Sequence, residues 1–511
     1  MSSSTPQLGG KRKLGVLSVA FLVVAASAPL TVVAGGVTTA LAVTGSTGIP
    51  FGYIVLTVAL LLFAVGYAAM SRFVTNAGAF YAYVSQGLSR ALGVGSSLIA
   101  LVAYNMMQIG VAALLGFQVS TELKARWAID TPWYLWVFVA IVIVAILGVN
   151  RIDFSAKILG ILVALEFIVV IIFDVTGFMA APDGIPAAPI TGATFWGAST
   201  GAILAFGIAA FMGFESGALY GEESKNPKTT IARATYPSVV VIGVFYALSS
   251  WAMIAAGGPN VNKDAVAGPP YFFGLLGAQA GVVIADIASL LFITSLFASL
   301  VSFHNAVARY NFSLGREGIL PRALARVNKG GSPFVGSLVQ TVIAVIVTIG
   351  FILGEASTNG AYVVPDGLGA GVSLNIFPLV VEFNWLTNSG AMGLVLLMAL
   401  VSVAVIGYFA KNNNGVNVWS RVIAPVIAAI ALFGIFALIV ANFNVLLTSD
   451  PTAPVSALTF VLPIIVIVPG VIGLIYGLVL KSSNPKVYQQ IGHGIAEDHT
   501  AGGLGEGPRG I

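Results

Sequence analysis

The chain has 511 residues, of which 58% are hydrophobic and 8% charged, with a mean hydropathy of +0.98. Soluble globular domains carry about 25% charged residues, so a soluble fold cannot cover this much apolar surface, and the absence of cysteine excludes disulfides, thiol catalysis and cysteine metal sites. The net charge of +4 gives no sign of a nucleic-acid partner, because the basic residues serve topology, as shown below.

A bilayer core of roughly 30 Å needs about 20 apolar residues per helix. Blocks of that kind fall at 16-43, 51-70, 93-119, 134-149, 156-180 and 194-219, then at 236-257, 281-308, 335-354, 389-409, 422-446 and 457-480. The first begins after Lys11-Arg12-Lys13 and is too long for a signal-peptide core, so it is expected to stay in the mature chain. Length alone allows eleven to thirteen crossings; Lys and Arg, which gather in cytoplasmic loops, select twelve. With the N-terminus cytoplasmic, only Lys124, Arg126 and Lys263 of the 23 basic residues fall outside. The sequence therefore predicts an all-α polytopic membrane protein of 12 transmembrane helices, lying multi-pass in the cell membrane of a prokaryote with both termini cytoplasmic. Its parts are an N-terminal tail 1-13, a transmembrane unit 14-481 and a C-terminal tail 482-511, the extremes 1-10 and 497-511 being Gly/Ser-rich and unstructured. The stretch 357-388 reads as an external loop with a short interfacial helix near Ile376-Val381.

Two blocks are interrupted. Block 1 carries Ser27-Ala28-Pro29-Leu30 at mid-depth, and a proline there removes a backbone donor and crowds the preceding turn. Block 6 carries Phe211-Met212-Gly213-Phe214-Glu215-Ser216-Gly217, two glycines and a carboxylate where a span should be apolar. Breaks in the first and sixth spans point to a five-plus-five inverted repeat, about 14-180 and 194-410, with two further helices at about 422-480. Broken helices expose free N–H groups beside a positive dipole end and free carbonyls beside a negative one. That pair of charges suits a zwitterion.

These residues, with Asn76-Ala77-Gly78-Ala79-Phe80-Tyr81 after block 2, Glu223-Ser224-Lys225-Asn226-Pro227 after block 6, and His304-Asn305-Ala306-Val307-Ala308-Arg309-Tyr310 running into Leu314-Gly315-Arg316-Glu317-Gly318, resemble the amino acid-polyamine-organocation superfamily of permeases. The match runs in order from residue 15 to about 330, and Ser27-Ala28-Pro29 stands near the place of a Gly-Ser-Gly triplet that many relatives carry. The resemblance implies a secondary transporter of amino acids or related amines working by alternating access. It is not an enzyme, needs no cofactor, and acts as a monomer or homodimer in the lipid bilayer. By position, Ser27, Ala28, Pro29 and Leu30 in the first span and Phe211, Met212, Gly213 and Phe214 in the sixth cradle the substrate backbone. Asn105 and Gln108, one turn apart in block 3, face the substrate or hydrogen-bond between helices. Phe206, Phe211 and Phe214 gate the pocket or pack.

Ionisable groups in spans cost about 2.5–3.5 kcal/mol or more at mid-depth. Glu166 and Glu215 are the deep ones, while Asp174 and Asp286 fall nearer the outer ends. Glu215 is placed to accept from backbone donors freed by the sixth-span break. Glu166 has only apolar neighbours in sequence, where several cation-independent relatives carry lysine; it is a site for a coupling proton, or for sodium together with oxygens of the first and eighth spans, or a carboxylate bonded between helices without a part in coupling. Ser295, Ser299 and Ser302 share one face of block 8, the place of a cation site in sodium-coupled cousins. His304 reads as a satisfied group near the cytoplasmic end of block 8, and Glu222-Glu223 as partners of the basic run 309-329 or as a solvated face. Proton-coupled uptake is the leading reading, with exchange and sodium symport as alternatives. A channel or an intramembrane enzyme is disfavoured, since the oddities gather at two breaks and a single histidine lies in a span.

Overall fold

A computed structural model describes residues 15–74, 78, 80–150, 156–215, 226–328, 330–357, 376–448, 452 and 454–493. Hydrocarbon offers no partner for a backbone amide, so each apolar block must close its own hydrogen bonds as a helix. The order is α1 (Val16–Ser27), a π-helical stretch Thr31–Val37 leading into α2 (Thr38–Thr44), α3 (Ile49–Met70), α4 (Phe80–Gly87), α5 (Arg90–Trp127), α6 (Trp133–Asn150) and α7 (Ala156–Met179). Then come α8 (Ala188–Thr191), α9 (Thr200–Phe211), α10 (Pro227–Gly257), α11 (Val261–Asp264), α12 (Pro269–Ala280), α13 (Val282–Arg316) and α14 (Phe334–Ser357). A π-helical start Pro378–Phe383 opens α15 (Asn384–Lys411), and Trp419–Ile423 opens α16 (Ala424–Ala441). α17 (Phe443–Thr448), α18 (Leu458–Ser483) and α19 (Pro485–Gln490) close the chain.

Among the described residues there is no strand, nine helices are long and apolar enough to cross a membrane, and three shorter apolar helices fall in blocks 1, 4 and 6. The fold is the all-α polytopic membrane fold read from the blocks. One boundary is corrected. The stretch 376–388 is not external loop: the long span Pro378–Lys411 begins there, and Glu382 is fully buried in its first turns. The run Ile376-Phe377-Pro378-Leu379-Val380-Val381 is apolar enough to continue the helix, and Pro378 at its start lacks only an N–H that a first turn would leave unbonded. Within the C-terminal tail, α19 and residues 491–493 pack on the bundle, while the extremes 1-10 and 497-511 lie outside the described residues.

α5 is the axis. The most apolar part of α5 is 78% buried, against 28% for those of α14 and α18, so α5 is enclosed and the other two turn Leu338, Ile346, Ile464 and Ile472 outward. α5 packs on α18, α15, α13, α4 and α6. Its seam with α18 is glycine-lined: a Cβ at Gly473 would lie 2.8 Å from the Val94 carbonyl oxygen and one at Gly477 2.7 Å from Ala91 Cα. Small residues let two backbones approach to this distance in a bilayer.

Candidate functional site

The chain turns out of helix at Ala28, whose φ of +45° is a left-handed conformation rare for a residue with a Cβ. Pro29 follows, with no N–H to lose. The amide of Leu30 donates to Glu166 Oε2 of α7 at 3.3 Å, and the carbonyl of Ser27 accepts from the Tyr246 hydroxyl of α10 at 2.9 Å. Glu166 Oε2 also accepts from Ser295 Oγ of α13 at 2.8 Å, and Ser295 Oγ accepts from Thr31 Oγ1 at 3.1 Å. Glu166 and Ser295 are buried. One carboxylate thus ties the first break to α7 and α13.

The second break follows α9. Met212 is extended (ψ 133°) and Gly213 has φ +110°, a value that favours glycine. The Gly213 amide donates to Glu215 Oε2 at 3.0 Å, the Tyr104 hydroxyl of α5 to Glu215 Oε1 at 2.5 Å, and the Tyr67 hydroxyl of α3 to the Glu215 carbonyl at 2.9 Å. Each break therefore carries a carboxylate on a freed amide and a tyrosine on a carbonyl.

Between the breaks lies a cavity of about 40 Å³, space for a few waters at ~10–15 Å³ each. An amino acid needs its walls to part. Ser27, Ala28, Phe206, Met212 and Ser299 of the expected residues line it, joined by Thr31, Val32 and Gly36 after the first break and Ala209 and Ala210 before the second. Helix α5 contributes Met107 and Val111, α13 adds Phe303, and Phe383 and Thr387 come from the span opened at Pro378. The last two lay in the stretch read as loop, and the apolar α5 pair had no signal to separate it from core.

The remaining candidates stand behind the wall. Asn105 Nδ2 donates to the Leu101 carbonyl of its own helix at 2.6 Å, and Gln108 Oε1 accepts from Gln340 Nε2 of α14 at 2.6 Å. Neither amide lines the cavity. Phe211 packs on Tyr53 and Tyr246, and Phe214 packs edge-on to Phe63. Pro29, Leu30, Gly213, Glu166, Glu215 and Ser295 shape the breaks without lining the cavity. His304 is buried deeper than its expected interfacial place and pairs with Ser337 Oγ at 2.6 Å. Asp174 accepts from Ser249 at 2.9 Å, while Asp286 pairs with Arg126 at 2.7 Å. Asn76, Ala77, Ala79, Ser216, Gly217, the pair Glu222-Glu223, Lys329 and Asp366 lie outside the described residues.

Two interrupted spans with capped breaks around one cavity are the frame of a broken-helix membrane transporter. Solved structures share the fold. A mutant of the Eremococcus coleocola manganese transporter aligns with 94% of this chain and 98% of its own at a TM-score of 0.56 and 14% identity, and the same transporter with an aromatic bis-isothiourea substituted compound gives 0.54 at 14% over the same shares. The chain belongs to the amino acid permease family, whose model matches residues 14–470; it is a permease and not an enzyme. Among curated relatives, the Branched-chain amino acid permease BcaP of Lactococcus lactis subsp. cremoris is 26% identical over 59% of this chain and 68% of its own length. The Lysine-specific permease LysP of the same organism is 27% identical over 45% and 48%, and L-asparagine permease 1 of Mycobacterium tuberculosis 23% identical over 72% and 71%. The alignments thus span from about half to seven-tenths of these relatives.

Proposed function

We propose that the protein is a secondary active transporter that takes up an amino acid with an aliphatic side chain by alternating access, across twelve spans with both termini cytoplasmic. The carrying observation is that both broken spans contribute residues at their breaks, Ser27 and Ala28 from the first and Ala209, Ala210 and Met212 from the sixth, to one cavity. The positive dipole end of one half-helix suits an α-carboxylate and the negative end of the other an α-ammonium. The rest of the lining decides the side chain. Val32, Met107, Val111, Phe303 and Phe383 are apolar, and no lining residue is charged. That wall favours a branched-chain substrate such as the one BcaP is named for, over the lysine of LysP, whose ammonium would sit without a partner.

Glu166 is the proposed proton carrier. It joins the first span to α7 and α13 through one oxygen, so gain or loss of its proton changes what holds the break closed. Sodium symport and amino acid exchange remain the alternatives, the former because Thr31 Oγ1 and Ser295 Oγ stand beside this carboxylate. Uptake of labelled leucine, lysine and asparagine into proteoliposomes tests the reading. Saturable leucine uptake raised by an acid exterior is expected. Saturable transport of lysine alone, or uptake that follows sodium and ignores pH, would overturn it.

A further inference from the structure

A second cavity, of about 400 Å³, opens at the end of the bundle opposite the Arg126 ion pairs, where α4, α5 and α15 meet the ordered C-terminal hook. The positive-inside reading makes this end cytoplasmic. The hook is firmly held. Ile491 is fully buried; the Gly492 amide donates to Glu317 Oε2 at 2.8 Å, and its carbonyl accepts from Gln86 Nε2 at 2.7 Å. These contacts bring His493 against Arg90, the first residue of α5, whose guanidinium also lies 5.8 Å from the centre of the Tyr488 ring. Lys411, at the end of α15, completes the rim with Asn412 and Asn414.

The charge in this cavity is one-sided. Among the described residues, Arg90, Lys411 and His493 line it and no carboxylate does. Among the described residues neither Arg90 nor Lys411 has an acidic side chain within 4.0 Å. Arg90 Nη2 instead meets the His493 ring nitrogen at 3.2 Å, Arg90 Nε is buried without a partner, and Lys411 Nζ reaches only the Gln86 carbonyl at 3.3 Å. Glu317, the acid of the hook, already accepts from Gly492. Burial and the Arg90 guanidinium hold the His493 imidazole below its usual pKa, so an anion beside both would favour its protonation and add a third cationic donor. Among the described residues the phenols of Tyr408 and Tyr488 also face this cluster, and the Glu317 carboxylate lies behind it on the Gly492 amide.

The Arg90 guanidinium, the Lys411 ammonium and the side-chain amides of Asn412 and Asn414, all lining this cavity, match the oxygens of a phosphoryl group. We propose that this cavity binds a phosphate-bearing ligand held by Arg90, Lys411 and His493. Basic pockets at the cytoplasmic ends of spans take anionic lipid head groups by the same chemistry, so the phosphate comes from the inner leaflet or from solution.

Thermal unfolding of the full chain distinguishes these sources. The protein in uncharged detergent is titrated with inorganic phosphate against chloride at matched ionic strength, and in nanodiscs phosphatidylcholine is compared with phosphatidylcholine plus phosphatidylglycerol. A saturable rise in midpoint is expected in at least one arm, with loss of that rise in Arg90→Gln and Lys411→Gln and its retention in Lys481→Gln. A rise only with phosphatidylglycerol identifies a lipid; a rise with inorganic phosphate in detergent identifies a soluble ligand. Lys411 is exposed, so its variant carries the test if Arg90→Gln fails to fold. No rise in either arm, or an equal rise in wild type and both variants, overturns the proposal.

Discussion

The two breaks solve one problem by different means. At the second, the carboxylate that caps the freed amide sits two residues along the same chain, Glu215 on Gly213. At the first, the cap arrives from another helix, Glu166 on Leu30, and is shared with α13 through Ser295. A cap within the turn keeps its partner however the helices move. A cap from a neighbour holds only while α7, α13 and the first span keep their places. The second break is therefore capped from within its own segment, whereas the first is held by side chains that reach it from neighbouring helices.

The largest effect is expected where the backbone itself is special. Gly213→Val puts a β-branched residue at φ +110°, a strain of about 1–3 kcal/mol or more, and should abolish substrate binding; Ala28→Phe should do the same by filling the cavity from the first break. Measured binding of substrate by the folded proteins checks both. Retained affinity in the two variants would place the site elsewhere.

Glu215→Ala should rank next. It strands the Gly213 amide and the Tyr104 hydroxyl in a buried site, at about 1–3 kcal/mol for each unsatisfied donor. Both thermal stability and transport are expected to fall together. A variant as stable as wild type would show that the second break does not need its cap.

Tyr246→Phe is expected to act more gently, since it removes one hydrogen bond, to the Ser27 carbonyl, and leaves the ring packing on Tyr53 and Phe211. A loss of about 0.5–1.5 kcal/mol should appear as a small drop in unfolding midpoint, and Tyr67→Phe at the other break should match it. Markedly unequal losses would break the parallel between the two tyrosine caps.

The same contrast explains what the sequence could reveal. Glu215 and Gly213 are neighbours in the chain, and a carboxylate beside two glycines in an apolar run already points to a capped break. The partners of Glu166 lie 136 and 129 residues away; its burial was legible from its apolar neighbours, and only the family resemblance pointed to the first and eighth spans that hold them. Asn105 and Gln108 drew attention by polarity in an apolar helix, yet the structure turns them to Leu101 and Gln340 and gives the cavity Met107 and Val111. Phe383 and Thr387 were hidden because Glu382 and the preceding Gly- and Pro-containing stretch resemble a loop, although the helix buries that carboxylate completely. Periodicity and charge placement locate spans; which neighbour a buried polar group meets is decided by packing.

Glu166, the proposed proton carrier, caps the first break from another helix, and its smallest substitution is the sharpest test. Glu166→Gln keeps the size of the side chain and an acceptor for the Leu30 amide while removing the titratable group, so folding should be little affected. Labelled leucine is followed in proteoliposomes in two regimes, accumulation driven by a pH gradient and counterflow against internal leucine. Glu166→Gln is expected to lose pH-driven accumulation and retain counterflow. A variant that still accumulates leucine under the pH gradient would contradict it.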